Sequence, residues 1–234
     1  MSSALHAIIF DFDGVIADSE PLHFRAFQQA LAEDGLELSP KEYYARYLGY
    51  DDVGMFQAFA EDRGLPADAA HVAALVERKG LKLQAMLNAG SVLFPGAVDF
   101  IRAAAQRVPI AIASGALRHE IDEVIEAAGV KALFAAVVAS GDTPESKPSP
   151  APYRLAFERL QEASGSLLDP SRCVAIEDSR WGLESARGAG LRCVGVTNSY
   201  PADQLTGAEL VVSGLQSLTL DALEQLCAGG AGVR

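Results

Sequence analysis

The chain lacks most of the features that would take it out of the ordinary soluble class. None of its 234 residues falls in an apolar run approaching the ~20 that a membrane-spanning helix needs, so no membrane partner is expected. Basic residues are few and scattered: 19 Lys and Arg stand against 31 Asp and Glu, for a formal net charge of −12. A protein of that sign repels nucleic acid and anionic lipid, and it can handle an anionic ligand only through a local site or a bound cation. Three cysteines occur, Cys173, Cys193 and Cys227. Two of them open apolar runs, which reads as core, and an odd, sparse set fits a reducing cytoplasm better than a disulfide scaffold. The first residues, MSSALHAIIF, carry no basic stretch and lead straight into strand-like sequence, so no signal peptide is expected. Low-complexity tracts and internal repeats are missing too. What remains is a cytoplasmic chain, expected to be a monomer, half hydrophobic and long enough for one large domain or a core with a smaller companion.

Six short runs rich in apolar and β-branched residues stand out: AIIFDF (7–12), VPIAIAS (108–114), AAVVAS (135–140), CVAIED (173–178), CVGVTN (193–198) and ELVV (209–212). Their apolarity is continuous rather than alternating, which predicts strands buried on both faces. Helical patterns lie between most of them, at 119–129 ending on Gly129, at 152–163 opening on Pro152, and at 181–190 ending on Gly190. Such alternation predicts an α/β fold with a doubly wound, mostly parallel sheet. Residues 17–93 interrupt it with helical patterns alone. Ser19 is a candidate cap for a helix carrying Phe24, Phe27 and Leu31, and Pro40, Asp51 and Pro66 mark further helix starts. The expected organisation is therefore a core of 1–16 and 94–234 with an all-helical insertion at 17–93. The tail AGGAGVR (228–234) is expected to fray.

In open α/β sheets ligands bind beyond the carboxyl ends of the strands. The predicted ends carry Asp11 and Asp13, then Ser114 with Gly115, then a loop bearing Lys147, then Glu177 and Asp178. Each alone has a plain structural explanation, as a turn, a helix cap or a solvated charge. Gathered in one crevice, the four carboxylates would repel one another unless a cation sat among them. Oxygen ligands alone suit a hard ion, and Mg²⁺ in particular where phosphate completes the shell. Ser114 and the backbone N–H groups at Gly115 can donate to phosphate oxygens, and Lys147 supplies a balancing point charge. The set reads as a phosphoryl-transfer site. Strand period is expected to bring Asp11 and Asp13 to one side.

The motifs DFDGVIADSE (11–20), ASGA (113–116), SKPSP (146–150) and EDSRWGLESARGAG (177–190) make the chain resemble the haloacid dehalogenase superfamily of phosphotransferases, in order and spacing across essentially its whole length. The helical insertion resembles the mobile cap of the subgroup that holds beta-phosphoglucomutase and related sugar-phosphate phosphatases. The resemblance implies that Asp11 is the nucleophile, taking the phosphoryl group as an aspartyl phosphate, and that Asp13 is the general acid/base. It implies that Ser114, Gly115, Ala116 and Lys147 hold the phosphate. It further implies that Asp11, the Asp13 carbonyl and Asp178, with Glu177 in the shell, hold Mg²⁺. True dehalogenases of the superfamily lack the second carboxylate, so Asp13 favours phosphate chemistry.

In the cap, His23 and Lys79 match the mutase pattern for substrate binding. Where mutases carry a basic stretch of the form Lys-Gly-x-Ser-Arg, however, this chain reads YLGYDDVGMF (47–56), with Asp51 and Asp52. Those acids, within an interval of seven Lys and Arg against twelve Asp and Glu, are expected to repel a second phosphate, with Arg46 and Arg78 the nearest compensation. Trp181, just past the metal-binding acids, is expected to pack its helix. The expected function is a Mg²⁺-dependent phosphatase for a small phosphorylated metabolite, a sugar phosphate in the first instance. A sugar phosphomutase and a catalytically silent binding protein on the same fold are the alternatives.

Overall fold

The computed structural model describes residues 3–48, 50–87 and 92–229. They form two compact units, one of Met1–Asp18 with Ser91–Arg234 and one of Ser19–Gly90.

The smaller unit holds α1 (Glu20–Ala32), α2 (Pro40–Glu42), a π-helical turn (Tyr43–Tyr47), α3 (Asp52–Arg63) and α4 (Ala69–Leu87). Phe27, Leu31, Tyr43, Tyr47, Phe56 and Phe59 build its core. Polar caps set the helix starts. Ser39 Oγ accepts from Glu42 N–H, and Asp51 Oδ1 accepts from Gly54 N–H at 2.7 Å. Asp68 Oδ1 accepts from His71 N–H, so α4 begins at Ala69, three residues later than Pro66 suggests. Ser19 precedes α1 with a backbone already helical and makes no side-chain cap bond, which corrects the expected cap.

The larger unit is a six-stranded parallel sheet: β1 (Ala7–Phe10), β2 (Ile110–Ala113), β3 (Phe134–Val138), β4 (Cys173–Glu177), β5 (Arg192–Val196) and β6 (Leu210–Val212). Their spatial order is β3-β2-β1-β4-β5-β6. All six predicted runs are strands, and each of the first five ends one or two residues earlier than its apolar run. β1, β2 and β4 are buried throughout because helices cover both faces. On one face Ala7, Ile9, Ala111 and Ala175 pack with Tyr153, Ala156 and Leu160 of α7 (Ala151–Ser164) and with Leu183 and Ala186 of α8 (Arg180–Gly188). On the other, Phe10 meets Phe100 of α5 (Ala97–Ala105) edge-on at 6.1 Å. The remaining helices are α6 (Arg118–Ala127), which ends before Gly129 at φ +64°, and α9 (Leu220–Ala228). The expected fraying of the tail concerns residues that, from 230 on, lie outside those described.

The insertion is bounded more tightly than 17–93, because Ala17 and Leu93 pair with each other in an antiparallel bridge. Phe94 N–H donates to Ile16 O at 3.0 Å, and Asp18 N–H donates to Val92 O. Both crossings therefore start from one short two-stranded stem belonging to the sheet unit. All three cysteines are buried thiols. Among the described residues no helix is long and apolar enough to cross a membrane.

Candidate active site

Parallel register sets the strand ends side by side: Phe10 pairs with Ile112 of β2 and with Ile176 of β4. Asp11 N–H continues the ladder to Ile176 O at 2.9 Å, which places its side chain beside Glu177. Lys147 Nζ then bridges the two carboxylates, donating to Asp11 Oδ1 at 2.7 Å and to Glu177 Oε1 at 2.6 Å. The Lys147 side chain is only 15 % exposed, so it is no solvated loop charge. Ser114, at the end of β2, is held by its N–H on Val138 O, and its Oγ accepts from Ala116 N–H at 2.9 Å. Gly115 lies exposed between them.

Asp13 is placed by a turn rather than by strand period. β1 stops at Phe10, and Phe12 O accepts from the N–H groups of both Ile16 and Ala17 at 2.9 Å. Asn198 Nδ2 ties this turn to the end of β5 by donating to Gly14 O at 2.7 Å. Asp13 stands half-buried in that turn. Its side chain is outside the one group, among the described residues, of three carboxylates whose ligand atoms lie within 4.8 Å of one another, which is Asp11, Glu177 and Asp178.

All three members of that group are buried. Burial, then the charge of Glu177, lifts the Asp11 carboxyl well above the usual carboxylate range. The same two causes push Asp178 up to about 7. Lys147 stays charged: burial works against it, but Asp11 and Glu177 outweigh burial and raise its pKa. Three carboxylates around one ammonium are more acid than that cation can balance out of water, and an all-oxygen set of this kind fits a hard divalent cation. The Glu177 oxygens are already engaged. Oε1 accepts from Lys147 and from Tyr153 OH (2.9 Å), and Oε2 accepts from Ser179 Oγ (3.1 Å) and Asp178 N–H (3.2 Å).

Sequence reasoning passed over four supports of this site: Tyr153, Asn198, Gly14 and Gly182. The glycines left the clearer signal. A Cβ at Gly182 would lie 1.8 Å from the Glu177 carboxyl carbon, and one at Gly14, where φ is +77°, would lie 1.9 Å from Asp178 Oδ2. A glycine in the first turn of a helix, four residues past an acid pair, marks a backbone that something must approach closely.

In the helical unit, Lys79 is 1 % exposed. It donates to both Asp52 oxygens at 2.8 and 3.0 Å, lies 3.0 Å from His23 Nδ1 and sits 4.9 Å above the Phe27 ring. This changes the reading of the acidic stretch, since Asp51 caps α3 and Asp52 is neutralised by Lys79. Arg46 is paired with Asp62 at 2.6 Å, and Arg78 with Glu33 and Asp34 at 3.1 and 3.0 Å. Trp181 is 36 % exposed and lies against Arg180 and Tyr200 instead of packing into the core.

Residues 5–190 match the profile of the haloacid dehalogenase-like hydrolases. Protein CbbY of Rhodobacter capsulatus is 31 % identical over 95 % of this chain and 99 % of its own length. Fructose-1-phosphate phosphatase YqaB of Escherichia coli is 29 % identical over 81 % of this chain and 95 % of its own. Among solved structures, CbbY from Rhodobacter sphaeroides in complex with phosphate superposes with a TM-score of 0.81 at 28 % identity, covering 94 % of this chain and 99 % of that one. An Asp-to-Asn variant of the same protein, in complex with xylulose-(1,5)-bisphosphate, matches equally well. With that breadth of match, and with its acids, serine and lysine at the ends of four parallel strands, the chain belongs to the haloacid dehalogenase-like hydrolase family.

Proposed function

We propose that this hydrolase is a Mg²⁺-dependent phosphatase acting on a small phosphorylated metabolite, a sugar phosphate, through an aspartyl phosphate on Asp11. The observation that carries the proposal is the bridge from Lys147 to Asp11 and Glu177 beside Asp178: a buried nucleophile, a fixed cation and a spare acid in one place. Asp11 attacks phosphorus, while Ser114 Oγ, the N–H group of Gly115 and Lys147 Nζ hold the phosphate oxygens. Ser114 Oγ accepts from Ala116 N–H, so its own proton is left for a phosphate oxygen. Asp13 gives a proton to the leaving oxygen and then takes one from the water that cleaves the aspartyl phosphate. Asp11, Asp178 and the Asp13 carbonyl would hold Mg²⁺, which when bound neutralises charge on the phosphate oxygens. Ser19–Gly90 serves as the cap that excludes water during transfer.

The names of the relatives support a phosphorylated sugar as substrate. The phosphatase reading is preferred to a mutase because a mutase must grip a second phosphate in its cap. Five of the seven Lys and Arg between 17 and 93 are already committed to acids: Arg46, Arg63, Arg78, Lys79 and Lys82. The deciding experiment measures phosphate release from a chromogenic aryl phosphate and a panel of sugar phosphates, with and without Mg²⁺. Mg²⁺-dependent release outpacing isomerisation of beta-glucose 1-phosphate supports the proposal. Isomerisation faster than release, or no turnover of any ester, refutes it.

A further inference from the structure

Tyr153 takes no part in the reaction as described, yet it touches two of the groups that do. It lies in the first turn of α7, fully buried, with its hydroxyl donating to Glu177 Oε1 at 2.9 Å and its ring 4.9 Å from Lys147 Nζ. Lys147 is contested between two carboxylates, at 2.7 Å from Asp11 and 2.6 Å from Glu177. Glu177 is wholly out of water, so nothing but its protein partners moderates its pull on the ammonium. Ser179 Oγ and Asp178 N–H moderate it from Oε2. Tyr153 alone, among the described residues, donates to the same oxygen as Lys147. A carboxylate oxygen has two lone-pair sites, and here the phenol takes one and the ammonium the other.

We infer that Tyr153 is a positioning residue: by occupying one lone pair of Glu177 Oε1 and laying its ring under the ammonium, it keeps Lys147 shared with Asp11, where the phosphoryl group is transferred, instead of ceding it to Glu177. The inference rests on the reading of Asp11 as phosphoryl acceptor. Burial, then the charges of Glu177 and Asp11, holds the phenol pKa well above the ordinary range, consistent with a group that acts only as a donor. The bland alternative is that Tyr153 merely fills the core beside Ala156 and Leu183.

Tyr153→Phe separates the two, because it keeps the ring and removes the donor. With Mg²⁺ and an aryl phosphate, kcat should fall about tenfold while KM changes by less than about twofold, since Lys147 matters most when charge builds at the moment of transfer. In a Glu177→Gln background, where no charge competes for the lysine, the same substitution should change kcat by less than about twofold. Replacing Tyr153 with p-aminophenylalanine, which restores a donor on the ring, should recover part of the loss. Wild-type kcat in a folded Tyr153→Phe protein overturns the inference, and so does an equal loss in both backgrounds. If Tyr153→Phe does not fold, the p-aminophenylalanine variant decides: its aniline N–H is a weaker donor than the phenol, so an intermediate kcat supports the inference, and a wild-type kcat, showing that donor strength does not matter, overturns it. Absence of phosphate release by the unmodified enzyme would instead refute the underlying reading of the site, and the same assay measures it first.

Discussion

Two side chains carry the sharpest expectations at the scale of single residues. Asp11→Asn keeps shape and hydrogen-bonding capacity and removes the nucleophile, so turnover should fall by at least about a thousandfold with the fold intact. Steady-state kinetics beside a thermal unfolding curve checks both halves, and a folded variant with a tenth of wild-type activity would remove Asp11 from the role. His23 gives a prediction about pH. Burial, then the neighbouring Lys79, pushes its pKa from 6.5 down to about 3. Between those values the unfolded chain binds a proton that the folded chain refuses, so His23 lets stability rise with pH across that window and be lost as pH falls from about 6.5 towards 3. The loss should amount to a few kcal/mol, on the order of what so large a shift implies. His23→Asn keeps an acceptor for Lys79 and cannot take up the proton. Its melting temperature should hold up better than the wild-type one below about pH 6, and parallel acid curves would show that His23 is not the group responsible.

Among loops and helix ends, close approach to backbone governs the site, and glycine substitutions test it. Gly182→Ala drives a methyl group into the Glu177 carboxylate, and Gly14→Ala combines a positive φ with a collision at Asp178. Each should cost on the order of 2–4 kcal/mol and most of the activity. Gly80→Ala, inside α4 with nothing within 4 Å of its new methyl, should instead stabilise by about 0.5–1 kcal/mol. Chemical denaturation of the three variants tests the contrast. These elements also show what the sequence could tell. The strands were readable because burial on both faces demands unbroken apolar runs, and the carboxyl-end rule then brought Asp11, Ser114 and Glu177 to one edge. Asp13 is placed at that edge by a turn and not by strand period, because β1 stops at Phe10. Tyr153 gave no signal, because an aromatic residue in the first turn of an amphipathic helix looks like any core residue. The pairing of Lys79 with Asp52 was also hidden, being a contact between α3 and α4 that no local pattern encodes.

For the whole molecule, the excess of buried carboxylate should make activity and stability depend together on a divalent cation. Chelation should stop phosphate release, with Mg²⁺ restoring it and Ca²⁺ doing so poorly because its longer bonds misplace phosphate relative to Asp11. Mg²⁺ should also raise the melting temperature of the wild-type protein near neutral pH and raise that of Asp178→Asn much less, a difference scanning fluorimetry reads without any substrate. Full activity in excess chelator would refute the metal-bridged site. The stem formed by Ala17 and Leu93 carries a different kind of consequence. Bridged residues in antiparallel strands stand about 5 Å apart, so the chain leaves the sheet unit and returns to it through what is, for the sheet, a single point on its rim. The seventy-odd residues threaded between are, to the sheet, no more than a long hairpin loop. A tight turn joining Asp18 to Val92 would close the same stem, and the six strands would keep their order and register. A lineage could then exchange one helical insert for another while the acids and the lysine at the strand ends stayed where they are.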